Sequence, residues 1–224
     1  MAFNHQFVNP PKLIQTTHPE SGKRVYKTPN GDMYQSVTTF LSLLPNKALE
    51  NWKKRVGKVE SERVSKAATS RGSSLHSYIE NYLLNEEIPF DNLLQKRLFQ
   101  QTKKTLDAID NIRLIEQPLY SDRLKLAGTP DCIGEYNKIF SIIDFKTSTR
   151  IKQEDWILSY YCQTAAYAIM FEELYGTRPE QSVIIIAVEE LNFPQVYIKD
   201  MDECVYLLKD YARKLNSYRS GVKS

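Results

Sequence analysis

The stretch GTPDCIGEYNKIFSIIDFKTS, Gly128 to Ser148, sets two aspartates and a lysine into an otherwise strand-like run. Cys132 to Tyr136 and Ile139 to Ile143 are rich in β-branched and aromatic residues, and Asn137-Lys138 between them suits a two-residue hairpin turn, because Asn tolerates positive φ. With Tyr136 opposite Ile139, the ladder carries Asp131 directly opposite Asp144. Both carboxylates then point to one face with Cβ atoms roughly 5 Å apart, where like charges destabilise. Lys146, two residues beyond Asp144, shares that face. One lysine only partly compensates two opposed carboxylates, and a divalent cation does so better. A solvated hairpin face would account for Asp-x-Lys alone, but surface charges placed at random would pair more often with the opposite sign.

Around this hairpin lies an ordinary globular composition. The chain has 224 residues, 42% hydrophobic and 25% charged, enough for one substantial core. No apolar run approaches the roughly 20 residues of a membrane span, and the N-terminal MAFNHQFVNPPKLIQ has neither a signal-peptide core nor transit-peptide arginines. A soluble, intracellular, cytoplasmic protein is expected. Cys132, Cys162 and Cys204 are widely spaced with no Cys-x-x-Cys pair, which gives no support to a disulfide framework, a zinc ribbon or a four-cysteine iron–sulfur cluster. The formal charge of +3 is small but uneven. Lys53, Lys54, Arg55, Lys58, Arg63, Lys66 and Arg71 face only Glu60 and Glu62 over residues 51–71, a basic stripe suited to phosphates or, equally, a solvated helix face.

The spacing predicts short strands over residues 12–35, broken by Pro19-Glu20-Ser21-Gly22 and Pro29-Asn30-Gly31-Asp32. Ser36 or Thr38 can cap a short helix that Pro45 stops. Residues 46–85 read as helical with possible breaks at Gly57 and Gly72, and residues 91–110 as another helix. Strands are expected at 112–120 and 124–127, then the hairpin. A helix over 154–175 follows, then the β-branched run Val183 to Glu190, of the kind buried on both faces. A shorter strand at 193–199 and a helix over 200–218 complete the chain. Strand, helix, buried strand from Ile139 to Val188 is a βαβ unit with a right-handed crossover. The expected fold class is α/β, a mixed central sheet flanked by helices. Residues 1–35 form an N-terminal β-ribbon appendage and 36–224 one domain, helical over 36–111 and sheet-containing over 112–224.

Further ligands for a hairpin-held cation should come from neighbouring helices. His76 and Glu80 lie one helical turn apart at the edge of the apolar stripe Leu75, Ile79, Tyr82, Leu83. Gly72, one turn earlier, permits close approach of a backbone or a phosphate. Gln163 and Tyr167 are four apart on the helix that follows the Asp144 strand.

Gly72-x-x-x-His76-x-x-x-Glu80, Gly128-x-Pro130-Asp131, Asp144-x-Lys146 and Gln163-x-x-x-Tyr167, in that order, resemble the motif series of RecB-type nucleases of the PD-(D/E)XK superfamily. Residues 34–76 also resemble the mitochondrial genome maintenance exonuclease family and its phage-encoded relatives. The resemblance implies a restriction-endonuclease-like core. It implies Mg²⁺ or Mn²⁺ held by Asp131, Asp144, His76 and the Phe145 carbonyl, with Lys146 positioning a water and offsetting developing charge. Glu80 is assigned to the metal's surroundings or to a second metal, and Gln163 and Tyr167 to the substrate phosphate or the Lys146 side chain. Arg71, Lys53, Lys54, Arg55 and Lys66 would follow a nucleic-acid backbone. Tyr26, Tyr34, Trp52 or Tyr160 could stack on bases, although a core role suits these aromatics better. Without the cysteines of the iron–sulfur branch, and without a targeting segment, the bacterial or phage branch is favoured. The residues themselves support phosphodiester hydrolysis. The family resemblance adds an exonuclease acting on single-stranded DNA with a free end, in replication, recombination or repair. An endonuclease, a catalytically idle DNA-binding subunit, and a structural protein with a charged hairpin are the alternatives.

Overall fold

The structure, a computed structural model, describes residues 2–221; residues 1 and 222–224 of the expected spans lie outside the described residues. The hairpin is its centre. β7 (Cys132–Tyr136) and β8 (Ile139–Ser148) pair antiparallel with Tyr136 opposite Ile139 and Cys132 opposite Ile143, the register read from sequence. Asn137 and Lys138 both take positive φ, 52° and 69°, so the turn twists with its strands. The central sheet runs in the order β10-β9-β8-β7-β4, with β4 at Ile109–Ile115, β9 at Gln181–Val188 and β10 at Gln195–Asp200. Only the β8–β9 pair is parallel, joined through helix α5 (Leu158–Tyr175) as the expected βαβ unit. β9 is buried along its whole length.

Two apolar layers sandwich this sheet. On one face Ile133, Ile142, Ile184 and Ile186 pack against α5 and α6 (Met201–Arg219). On the other, Ile143, Phe145, Val183 and Ile185 meet α3 (Lys58–Leu83) and α4 (Leu93–Leu106). Alternation along β8 therefore sends Asp144 and Lys146 to the α5 side and Phe145 to the α3 side.

A second five-stranded sheet, which sequence reading did not separate from the first, has the order β1-β2-β3-β6-β5. Its first three strands are Ile14–Thr17, Arg24–Lys27 and Met33–Ser36; β5 is Leu119–Ser121 and β6 Leu126–Gly128. β3 joins β6 in parallel. Segment 1–35, expected as an appendage, contributes Phe3 to the core, bridges His5 to Ile112, and is continuous with this sheet. Thr39 N–H donates to the Ser36 hydroxyl, which caps α1 (Val37–Leu41), and Asn46 caps α2 (Lys47–Val56). Gly57, at φ 82°, separates α2 from α3. At Gly72 the helix continues unbroken, because nothing there demands a φ that only glycine tolerates. Among the described residues no helix is long and apolar enough to cross a membrane.

Candidate active site

β4–β5 and β6–β7 form one long antiparallel ribbon that passes from the central sheet into the second sheet. Ile115 lies opposite Cys132 and Leu119 opposite Gly128, a single continuous register. Between those pairs both strands bend, and Glu116 falls opposite Asp131. The Glu116 N–H donates to the Asp131 carbonyl at 3.1 Å, and Glu116 takes φ 47°. Extending the β7–β8 register by one step sets Asp144 opposite Asp131 on the other side. Glu116, Asp131 and Asp144 thus stand in a row across three adjacent strands where the two sheets part.

His76 closes one end of the row. It lies on α3, where Leu75, Tyr78 and Ile79 are buried against the sheet and fix the helix rotation. Its Nδ1 sits 3.4 Å from Glu116 Oε1 and 3.5 Å from Asp131 Oδ1, and its Nε2 donates to the Phe145 carbonyl at 2.8 Å. Asp131 Oδ2 accepts from the Phe145 N–H at 2.7 Å, which locks the carboxylate against β8. Burial works against a charged imidazole, but Asp131 and Glu116 outweigh it and push the His76 pKa up to about 9. His76, Glu116 and Asp131 offer three ligand atoms all within 4.8 Å of one another. Glu80, one turn after His76, has its carboxyl raised by burial and by Glu116 and Glu86.

Lys146 closes the other end. Its Nζ is 2.5 Å from Asp144 Oδ2, a close ion pair, and Asp144 Oδ1 is buried without a hydrogen-bond partner. Burial pushes the Asp144 carboxyl up to about 6 against the pull of Lys146. For Lys146, sequence left burial and its acidic neighbour in competition. In the fold, Asp144 and Asp131 prevail over desolvation and raise its pKa, so it is an ammonium at neutral pH. That ammonium lies 5.2 Å from the centroid of the Tyr160 ring on α5. Along the same helix, Gln163 Nε2 donates to Tyr167 Oη at 3.4 Å, and burial drives the Tyr167 phenol far above its ordinary pKa. Tyr167 lies flat against Gly128, where a Cβ would come within 2.9 Å of the ring carbon Cε1. The glycine of Gly-x-Pro-Asp is what admits this tyrosine.

The fold brings His76, Asp131 and the Phe145 carbonyl together and adds Glu116. Asp144 and Lys146 form a neighbouring pair outside that three-ligand group, and Glu80 and the bonded pair Gln163–Tyr167 lie at its border. Sequence reading missed Glu116, although its signal was present: had Ile115 been paired with Cys132, the same arithmetic that opposed Asp131 to Asp144 would have found it. The basic residues are more dispersed. Lys53, Lys54 and Arg55 are exposed on α2, and Lys66 is exposed on α3. Arg71 is instead held 3.0 Å from Glu189 in a largely buried pair. Tyr26 and Tyr34, at 3% exposure each, belong to the core with Ala127 and offer no face to a base. Trp52 is half-buried on α2. The three cysteines are free buried thiols.

A family model described as the PD-(D/E)XK nuclease superfamily matches residues 47–218. The chain belongs to the PD-(D/E)XK nuclease superfamily. The α/β architecture, with Asp131 immediately before β7 and Asp144 and Lys146 on β8, is that expected from the motif series. The chain is also similar to mitochondrial genome maintenance exonuclease 1 of Xenopus tropicalis, 24% identical over 185 residues, 76% of this chain and 52% of that protein. Against the Homo sapiens protein of that name it is 24% identical over 188 residues, covering 79% and 54%. The chain thus spans about half the length of the curated relatives it matches.

Proposed function

We propose that this PD-(D/E)XK protein is a divalent-metal-dependent deoxyribonuclease, an exonuclease acting on single-stranded DNA ends in replication, recombination or repair. The observation that carries the reading is the row Glu116, Asp131, Asp144, closed by His76 at one end and by the Lys146 ammonium at the other. Three carboxylates in a row are only partly balanced by the Lys146 ammonium and the His76 imidazolium at its ends, which leaves one negative charge for a further cation to offset. Carboxylate and carbonyl oxygens with one imidazole suit Mg²⁺ or Mn²⁺. Asp144 Oδ1, buried without a hydrogen-bond partner, is an acceptor that such an ion would satisfy. His76, Asp131, Asp144 and the Phe145 carbonyl would hold it, with Glu116 beside them. The ion supplies Lewis-acid polarisation of a phosphodiester and acidification of a water.

The chain's own groups do the rest. Lys146, kept protonated, faces the negative charge that develops on the phosphoryl oxygens and holds the attacking water. The Tyr160 ring restricts where that ammonium can go. Gln163 and Tyr167, bonded to each other, orient the substrate phosphate or the lysine. Glu80 tunes the charge around His76 and Glu116. Lys53, Lys54, Arg55 and Lys66 follow the backbone of the strand, joined by Arg71 when it releases Glu189. The exonuclease part of the reading draws support from the relatives named as exonucleases, and the single-strand part from the motif resemblance alone. The test compares end-labelled linear and covalently circular single-stranded DNA of one sequence, in Mg²⁺, with the wild type and with Asp144→Asn. Loss of the linear strand only, abolished by the substitution, is expected. Cutting of the circle would replace the exonuclease with an endonuclease. Inertness toward both, with Mn²⁺ also tried, would leave an idle DNA-binding subunit.

A further inference from the structure

Trp156 is 61% exposed, unusual for the largest apolar side chain in a chain that has only two tryptophans. It sits in the 3₁₀ turn Glu154–Ile157 that leads into α5. That turn is well anchored: the next residue, Ile157, is completely buried, and the Trp156 N–H donates to the Gln153 carbonyl at 3.0 Å. The indole is therefore held outward on a fixed backbone and not left on a loose loop. Counting on from it, Tyr160, Gln163 and Tyr167 follow at steps of four, three and four, the spacing of one helix flank. The opposite flank, with Tyr161, Thr164 and Ala168, is buried, and Thr164 bonds to Ser182 of β9. Within α5 the flank of Tyr160, Gln163 and Tyr167 runs from the Tyr160 ring, 5.2 Å from the Lys146 ammonium, to Tyr167 beside Gly128, and Trp156 stands exposed in the turn that leads into the helix.

We infer that Trp156 is a base-stacking subsite, taking an unpaired nucleobase next to the phosphate held at Lys146. The inference rests on the nuclease reading above and adds to it a residue that reads the strand outside the reacting centre. Trp156 stands only four residues before Tyr160, across the junction of the 3₁₀ turn with α5, so a base flanking the bound phosphate is the part of the strand it would meet. Only an unpaired base presents a free face to an indole, which ties this subsite to single strands. The charge beside the indole is mixed: Glu154 is paired with Lys199 at 3.0 Å, Asp155 is exposed, and the cation offered to a phosphate is Arg150. Arg150, on the loop between β8 and the 3₁₀ turn, has an 86% exposed side chain, tied only by a 3.9 Å contact to the exposed Glu190. Such a pair is weak in water and leaves the guanidinium available to a phosphate.

The chain's two tryptophans make the test direct. In a Trp52→Phe, Asp144→Asn double variant, Trp156 is the sole tryptophan and cleavage is expected to be blocked. Titration with an oligothymidylate in Mg²⁺ should quench its fluorescence to saturation, with binding followed independently by anisotropy of a labelled oligonucleotide. Adding Trp156→Ala should weaken binding roughly 5- to 150-fold, the range for loss of one stacked base, and Trp156→Phe should recover much of it. In the otherwise wild-type chain, Trp156→Ala should raise KM for single-stranded DNA more than it lowers kcat. Oligonucleotide binding with unchanged Trp156 fluorescence and unchanged affinity of Trp156→Ala would overturn the subsite and leave the nuclease reading standing. The same result with a protein partner found on the Trp156 surface would reassign the indole to docking. Absence of both binding and wild-type cleavage would overturn the two together.

Discussion

A proton and a cation should compete for His76. Its pKa is raised from 6.5 to about 9 by Asp131 and Glu116, so at pH 7 only about one molecule in a hundred has a free imidazole nitrogen. If His76 is a ligand, a cation must expel that proton, and its apparent affinity at pH 7 should lie about 100-fold, or about 2.7 kcal/mol, below its value above pH 9. Stability of the metal-free protein should move the other way. The folded pKa exceeds the unfolded one, so the stabilisation is complete below pH 6.5 and is lost as pH rises through 9. The shift corresponds to at most about 3 kcal/mol, reduced by solvent because the side chain is 26% exposed. Asp144 titrates near 6, so the window from 6.5 to 9 isolates the histidine. Melting of EDTA-treated protein should therefore fall across this window while melting in saturating Mn²⁺ rises. Calorimetric Mn²⁺ titrations in buffers of different ionisation enthalpy should show close to one proton released per ion near pH 7. Mn²⁺ affinity that is flat between pH 6.5 and 9, with no proton release, would refute His76 as a ligand.

Glu116→Gln removes a carboxylate that holds up the His76 pKa, so it should shift the pH dependence of metal binding downward and cost roughly 10- to 100-fold in metal affinity or activity. Mn²⁺ titrations across pH measure both effects, and unchanged curves would exclude Glu116 from the site. Asp144→Asn should abolish cleavage and, because it strips the largely buried Lys146 ammonium of its partner, should lower the metal-free melting temperature. A clear drop in melting temperature with activity retained would mark Asp144 as structural. Gly128→Ala drives a Cβ to 2.9 Å from the Tyr167 ring and should cost about 1–3 kcal/mol by urea unfolding. In a Tyr167→Ala background the same Gly128→Ala change should cost much less, and an equal cost there would mean the strain lies elsewhere.

Local patterns in the chain determined a good deal of this protein. Asn137-Lys138 set the hairpin turn, and with it the register that opposes Asp131 to Asp144. The unbroken β-branched run at 183–188 marked a strand buried on both faces, and Gly57 ended a helix. Each follows from the few residues on either side, because strand alternation, turn geometry and helix capping act over one or two turns of chain. Other features came only with the tertiary structure. Glu116 was written in the sequence only as a possible register, Ile115 opposite Cys132, and the bend by which that ribbon passes from one sheet into the other, bringing the carboxylate to His76, was decided by the fold. Arg71 meets Glu189, and Tyr26 and Tyr34 disappear into the core, through contacts that no local spacing records. The ionisation of Lys146 was open for the same reason. Burial and two carboxylates pull its pKa in opposite directions, and which prevails depends on separations of a few ångströms in a medium of low polarity. The exposure of Trp156 is likewise a property of what the rest of the chain leaves uncovered.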